Sequence, residues 1–376
     1  MSWKILLSPP EVSEVERDFL IGAFDSGWIA PAGPDLDAFE AELAQFTGAA
    51  AVAGLSSGSA AMHMAVLAAG VQAGQEVLVS DLTFAASAFA VSHVGALPVF
   101  VDCEPATWHM DPDLLADELA RRARGGTLPA AVIVVDLYGS VADYARLVPL
   151  CAQYGVPLIE DAAEALGAHR DGTSAGRFGG SGVLSFNGNK ILTTGGGGAL
   201  MSDDAAVVSH ARYLSMQARQ PVLHFEHHDT GFNYRMGNLN AAVGRGQLRT
   251  LPDRIAQRRR VRLGYEQHLA PLGGIQFQGI PDGCEPNHWL TTIVIDPPVF
   301  GATAPEVLAA LHAAGIEARP AFKPMHMQPV FAGAGQVGGT VSAGLFERSV
   351  CLPSGGRLTD TDVAWVCEVI ASARQP

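Results

Sequence analysis

The chain predicts an α/β fold: a mostly parallel β-sheet flanked by helices, followed by a smaller C-terminal α+β domain. Three observations carry that expectation. Up to about residue 250 of the 376, short apolar runs alternate with helical patterns, the texture of strands joined by crossover helices. One run, Ala131-Val132-Ile133-Val134-Val135, is apolar without interruption, as a parallel strand buried on both faces should be. Several runs end in Ser/Gly turns or in carboxylates, where open α/β sheets place their ligands.

Ala51 to Leu55 reads as the first strand, Ser56-Ser57-Gly58-Ser59 as its turn, and Ala60 to Ala69 as a buried helix. Glu76 to Ser80 is the next strand, ending at Asp81-Leu82-Thr83-Phe84, and strands follow at Leu97 to Val101, Ala131 to Val135, Pro157 to Ile159 and Gly182 to Phe186. After Leu248 the texture changes. A long helix carries Arg254, Arg258, Arg259, Arg260 and Arg262, then Tyr265 and Leu269. Its arginines read as a solvated face. A strand at Trp289 to Ile295 and a helix at Ala304 to Ala314 complete a smaller domain, so the expected division is 1–250 and 251–376. Gly195 to Gly198 reads as a low-complexity patch and Gly333 to Gly344 as a mobile glycine-rich loop.

Hydrophobic residues make up 48% and charged ones 16%, with a formal net charge of −14. That balance argues against nucleic acid, whose binding rests on cations neutralising phosphates. An anionic substrate would need a local basic cluster. The five cysteines show no CxxC spacing, which suits reduced thiols in the cytoplasm. Met1 to Pro10 has too short an apolar stretch for a signal peptide, and no run approaches a membrane span. His227-His228-Asp229 looks like a metal cluster, yet adjacent residues seldom converge on one ion, so no metal is expected.

Lysine is rare here, three residues against 21 arginines. One of them, Lys190, closes Ser185-Phe186-Asn187-Gly188-Asn189-Lys190. An amine deprotonates on desolvation and attacks carbonyls, which a guanidinium cannot do. Lys190 is therefore a candidate covalent anchor, the other reading being a solvated turn cap. Ser56 to Ser59, between a strand and a helix, suits a phosphate at the helix N-terminus. Asp161, in Glu160-Asp161-Ala162-Ala163-Glu164, either caps a helix or pairs with a protonated ring nitrogen. Phe84 is either core or a stacking platform. Together they supply a phosphate cradle, a flat aromatic, a carboxylate and an amine, the groups that pyridoxal phosphate requires.

With these motifs the chain resembles the DegT-type sugar-nucleotide aminotransferases, pyridoxal phosphate enzymes of fold type I, the aspartate aminotransferase fold. The likeness runs from about Leu7 to about Gly356 and keeps the motif order: Gly27-Trp28-Ile29-Ala30-Pro31, Ser57-Gly58-Ser59, Thr83-Phe84, Pro98 to Asp102, Glu160 to Glu164, Ser185 to Lys190, Gly231 to Met236 and Leu352 to Gly355. The resemblance implies roles by position. Lys190 would carry the coenzyme as a Schiff base and shuttle the proton. Asp161 would pair with the pyridinium, Phe84 would stack on the ring, and Glu164 would lie near the phenolic oxygen. Gly58, Ser59 and Ser185 would hold the phosphate. Asn233 would reach it from the neighbouring subunit, which implies a homodimer with shared active sites. Two departures stand out: Ser59 replaces the family's usual threonine, and Asp136 stands where a histidine is common, so Asp136 is given no role.

Sugar-dehydrating members carry histidine where this chain has Lys190, so the lysine favours transamination. Ser-Phe-Asn-Gly-Asn-Lys is similar to the enzymes that aminate carbon 4 of 4-keto-6-deoxy sugars, of the perosamine and bacillosamine type. The expected substrate is a UDP-linked, 2-acetamido sugar, with L-glutamate as donor. Substrate candidates are Trp28, Asn187, Arg235 and the basic loop of Arg319, Lys323 and His326; Asn187 equally suits turn backbone. Rival readings are amination at carbon 3, a non-catalytic cofactor or sugar-nucleotide sensor, and an enzyme acting on amino acids alone, with Arg348 or Arg357 on the carboxylate.

Overall fold

The computed structural model describes residues 3–374. Seven strands, β1 (Ala51–Leu55), β2 (Glu76–Ser80), β3 (Leu97–Val101), β4 (Ala131–Val135), β5 (Leu158–Asp161), β6 (Ser181–Ser185) and β7 (Gly198–Ser202), join Gly335–Val337 in one sheet. Its order is β1-β7-β6-β5-β4-β2-β3 and then Gly335–Val337. β7 runs antiparallel to β1 and β6. The other pairings in this sheet are parallel. β1 to β4 coincide with the predicted strands, whereas β5 runs on to Asp161.

Both faces of this sheet are dry. Leu78, Val132 and Val134 belong to one hydrophobic cluster, and their neighbours Val77, Val79 and Ile133 belong to the other. That two-sided burial is why the strands read as unbroken apolar runs. Because β1, β6, β5 and β2 point the same way, Ser57, Ser185, Asp161 and Phe84 all follow strands at one edge of the sheet.

Two sequence expectations are corrected. The Gly195 to Gly198 patch leads directly into β7, which the sequence reading missed. The Gly333 to Gly344 stretch is not one loop: Gly335–Val337 adds a strand to β3, and Thr340–Arg348 is a helix. The Asp102 carboxylate fastens that helix start by accepting from the N–H groups of Gly339, Val341 and Ser342 at 2.6, 3.0 and 2.9 Å.

A second sheet pairs Ile275–Phe277, Thr291–Ile295, Ser349–Leu352 and Arg319–Pro320, all antiparallel. Its core includes Ile293, Val307, Leu311 and Val366 together with Val261 and Tyr265. The last two belong to α8 (Asn238–Leu269), a 32-residue helix that packs first against α1 (Glu14–Asp25) and α2 (Pro34–Thr47) and then against Asp360–Ser372. Residue 250 falls inside this helix.

The arginines of α8 do not form a solvated face. Arg254, Arg258 and Arg262 are buried, at 7%, 2% and 7% exposure, while Arg259 and Arg260 face solvent. Positions i, i+4 and i+8 share one stripe of a helix, and the fold covers that stripe. Buried guanidiniums must be paired or hydrogen-bonded. Arg254 pairs with Glu16 at 2.6 Å, Arg262 pairs with Glu266 at 2.7 Å, and Arg258 donates to the Trp289 carbonyl at 2.6 Å.

Candidate active site

At the carboxyl edge of the large sheet lies a cavity of about 370 Å³. Its floor begins with the turn after β1. Ser57 caps α3 (Gly58–Ala68), its hydroxyl accepting from the Ala60 N–H at 3.0 Å. Gly58 must be glycine for packing: a Cβ there would sit 2.8 Å from the Ser185 Cβ. The turn and the end of β6 thus close on each other, and the positive end of the α3 dipole faces the cavity. Gly58, Ser59 and Ser185 all line it.

The carboxylates come from the end of β5 and the turn beyond. Asp161 accepts from the Ser87 hydroxyl at 2.6 Å and from the Ala163 N–H at 3.1 Å. Burial raises its pKa, against the opposing pull of the Ser87 hydroxyl, the Ala163 N–H and Lys190. Burial likewise raises that of Glu164, opposed chiefly by Lys190 and the Tyr138 N–H. Tyr138 donates that N–H to Glu164 at 2.8 Å from a left-handed backbone, φ 57°. Such a conformation is uncommon for a bulky residue and needs support from its surroundings. Here the ring is buried and its hydroxyl accepts from the Phe322 N–H at 2.9 Å.

Lys190 stands opposite. Its Nζ lies 3.3 Å from Glu164 Oε1 and 3.9 Å from the centroid of the Trp289 ring. The side chain is 12% exposed, so a desolvated amine faces the cavity. Phe84 is 61% exposed, its ring open to the cavity and 6.0 Å from that of Phe322. Sequence reasoning missed Trp289 and Phe322, both cavity-lining. They arrive from the second sheet and the loop after Arg319–Pro320, and nothing local marks them.

Of the substrate candidates, Asn187 lines the cavity and touches Asn189 Oδ1 at 3.4 Å. The others do not line it. The Arg235 guanidinium is committed to Glu40 and to the Gly54 carbonyl, and its side chain is 8% exposed. His326 donates its backbone N–H to Asp81 at 3.0 Å and places Nδ1 2.6 Å from the same carboxylate, which also binds Ser342. It therefore docks its loop onto the end of β2. Arg319 pairs with Glu317 at 2.9 Å on the surface, and Trp28 is half exposed in the turn after α1. Lys323 follows the lining residue Phe322 but is not itself in the wall. Asn233 is exposed outside the cavity.

Asp136, directly after β4, is buried and outside the cavity wall, accepting from the Ala142 N–H at 3.0 Å. Burial, and then the Glu160 carboxylate beside it, push its pKa well above the ordinary carboxylate range. Arg348 lies in a separate cavity with Trp108, and Arg357 donates to the Val12 carbonyl, so neither faces Lys190.

The residues present fit a phosphorylated, positively charged aromatic aldehyde. A close-approach turn at a helix start would suit the phosphate, an open ring a stacking contact, a buried carboxylate the ring cation, and an amine the aldehyde. That is the site of a pyridoxal phosphate enzyme of fold type I.

The profile of the DegT/DnrJ/EryC1/StrS aminotransferase family matches residues 10–371. EpsN of Bacillus subtilis (strain 168), whose name marks it as a candidate pyridoxal phosphate-dependent aminotransferase, is 43% identical over 98% of this chain and 96% of its own. GDP-perosamine synthase of Caulobacter vibrioides is 33% identical over 96% and 95%. Among solved structures, the aminotransferase TlmJ from Streptoalloteichus hindustanus superposes with a TM-score of 0.91 at 29% identity, covering 98% of each chain. The chain belongs to the DegT/DnrJ/EryC1/StrS aminotransferase family. It is a pyridoxal phosphate-dependent aminotransferase, and among the described residues no helix is long and apolar enough to cross a membrane.

Proposed function

We propose that the protein moves the amino group of L-glutamate onto carbon 4 of a nucleotide-linked 4-keto-6-deoxyhexose, UDP-linked and 2-acetamido, for the synthesis of a surface-glycan or glycoprotein sugar. The observation that carries this reading is the convergence of Lys190, Glu164 and Asp161 on one cavity that Asn187 also lines. Bound pyridoxal phosphate supplies the carbonyl that takes up the amino group and a ring that accepts electrons.

The chain's residues do the rest. Lys190 Nζ, held 3.3 Å from Glu164, would anchor the coenzyme and move the proton between the amino carbon and the coenzyme. Asp161 holds a proton on the ring nitrogen, and the Ser87 hydroxyl keeps its carboxylate oriented. Gly58, Ser59 and Ser185 hold the phosphate, and Phe84 covers one ring face. Asn233, exposed and outside this chain's own cavity, completes the phosphate site of a second copy. The lobe of residues 1–250 binds the coenzyme, and 251–376 closes over it with Trp289 and Phe322. The five free cysteines support a cytoplasmic location.

A GDP-linked substrate is the second reading, favoured by the likeness to GDP-perosamine synthase. Incubation with glutamate and a panel of UDP-, GDP- and dTDP-linked 4-keto-6-deoxyhexoses, with product carbons assigned by NMR, decides between them. Amination at carbon 3, or none with any member of the panel, refutes the substrate assignment. For the shared site, mixing Lys190→Ala with Asn233→Ala subunits should restore part of the activity. No recovery after proven subunit exchange refutes it.

A further inference from the structure

Lys190 is gripped from two sides by one residue outside the family motifs named above. The face of the Trp289 indole lies 3.9 Å from the Lys190 Nζ, and its edge donates from Nε1 to the carbonyl of Asn189 at 2.7 Å. The ring thus touches both the reacting amine and the peptide immediately before it. Face contact suits a cation, since the aromatic quadrupole is negative there.

Trp289 is itself held by Arg258, far away along the chain, and by the nearby Asn287. Its carbonyl accepts from Arg258 Nη1 at 2.6 Å, and its N–H donates to Asn287 Oδ1 at 2.8 Å. The Ser8 hydroxyl donates to the same Asn189 carbonyl at 2.7 Å and accepts from Arg258 Nη2 at 3.2 Å. Asn287 in turn donates to the carbonyls of Glu164 and Leu166 at 2.8 and 3.0 Å. Gly139 permits that approach, because a Cβ there would lie 2.0 Å from Asn287 Oδ1. Between Asn287 and Trp289, His288 adopts a left-handed backbone, φ 55°, a strained state that persists only when neighbours over-determine it. Arg258 is 2% exposed, and burial pulls its guanidinium down to about 10. This buried cation hydrogen-bonds the Trp289 carbonyl and the Ser8 hydroxyl, with the Glu11 carboxylate further off at 4.0 Å, and so ties those groups together.

We propose that Trp289 is the positioning residue of Lys190: its ring face fixes the amine against Glu164, its N–H fixes the loop, and Arg258 and Ser8 lock it in register. This rests on the reading of Lys190 as the coenzyme's anchor. It assigns the second sheet a direct part in that anchor, because Trp289 leads into Thr291–Ile295.

The rarity of lysine supplies the test. Apoprotein is lightly acylated with acetic anhydride, and labelling of Lys190 is read by peptide mass spectrometry against Lys4 and Lys323 as internal references. Trp289→Leu keeps an apolar side chain but no ring, and it should raise the labelling of Lys190 relative to both references by about two- to thirty-fold. Trp289→Phe keeps a weaker ring and loses the N–H; it should lie between wild type and Leu, about twofold up. Unchanged labelling in a folded Trp289→Leu protein overturns the proposal. Should that variant not fold, a wild-type ratio in Trp289→Phe overturns it. Borohydride trapping of the holoenzyme is read separately: an adduct on Lys4 or Lys323 refutes the anchor reading and leaves the acylation result standing.

Discussion

Gly58→Ala adds one methyl group at the tightest contact of the cavity, and two effects of opposite sign follow. Alanine is the better helix former by up to about 1 kcal/mol. Against this, the new Cβ would stand 2.8 Å from the Ser185 Cβ and 3.0 Å from its hydroxyl. Real Cβ contacts are wider, so the end of β6 must move, and overpacking of this kind costs about 1–3 kcal/mol. The net expectation is an apoprotein unchanged or destabilised by up to about 3 kcal/mol. Displacing Ser185 also disturbs a hydrogen bond to a charged phosphate, worth about 1.5–3 kcal/mol. Affinity for pyridoxal phosphate should therefore fall by about ten- to a hundred-fold. Urea unfolding of the apoprotein and absorbance titration with coenzyme measure the two quantities. Gly22→Ala is the control: Gly22 lies on an exposed part of α1 with nothing within 4 Å of an added Cβ, and it should stabilise by about 0.5–1 kcal/mol. If Gly58→Ala is stabilised like Gly22→Ala and binds coenzyme with wild-type affinity, the close approach of turn and strand does not build the phosphate cradle.

Asp161→Asn should keep coenzyme bound and lower kcat by about 10²–10³, since the carboxylate that holds the ring proton is gone; single-turnover absorbance decides, and near-normal turnover would make Asp161 a cap. Asp136→Asn tests the buried pair with Glu160. Because burial and Glu160 raise the native pKa, the native state keeps a proton that the unfolded chain releases near pH 4. Stability is therefore lost as pH rises from about 4 towards the raised native value, and the deficit persists above it. An amide cannot ionise, so the variant should melt about 2 °C or more above wild type at pH 8 and within error of it at pH 4. A lower midpoint at pH 8 would show that the carboxyl is stabilising there.

What the sequence by itself determined is whatever rests on neighbours along the chain. β1 to β4 are legible residue for residue because strands buried on both faces keep an apolar centre. The turn after β1, the carboxylates after β5 and the lysine after β6 are legible because their chemistry follows a strand end directly. Once strand direction is shared, those ends meet whatever the loops do, so Ser59, Phe84, Asp161, Glu164 and Lys190 share one cavity. Tertiary structure alone decided the rest. Arg254, Arg258 and Arg262 show a four-residue spacing in the sequence, but whether that stripe meets water or protein depends on what packs over α8. Arg235 and His326 carry the right charges for a substrate, yet Glu40 and Asp81, 195 and 245 residues away, take them first. Trp289 has no local mark at all. Its place over Lys190, 3.9 Å from the amine, is produced by the docking of a second sheet on the first, and long-range packing of that kind leaves no period in the sequence.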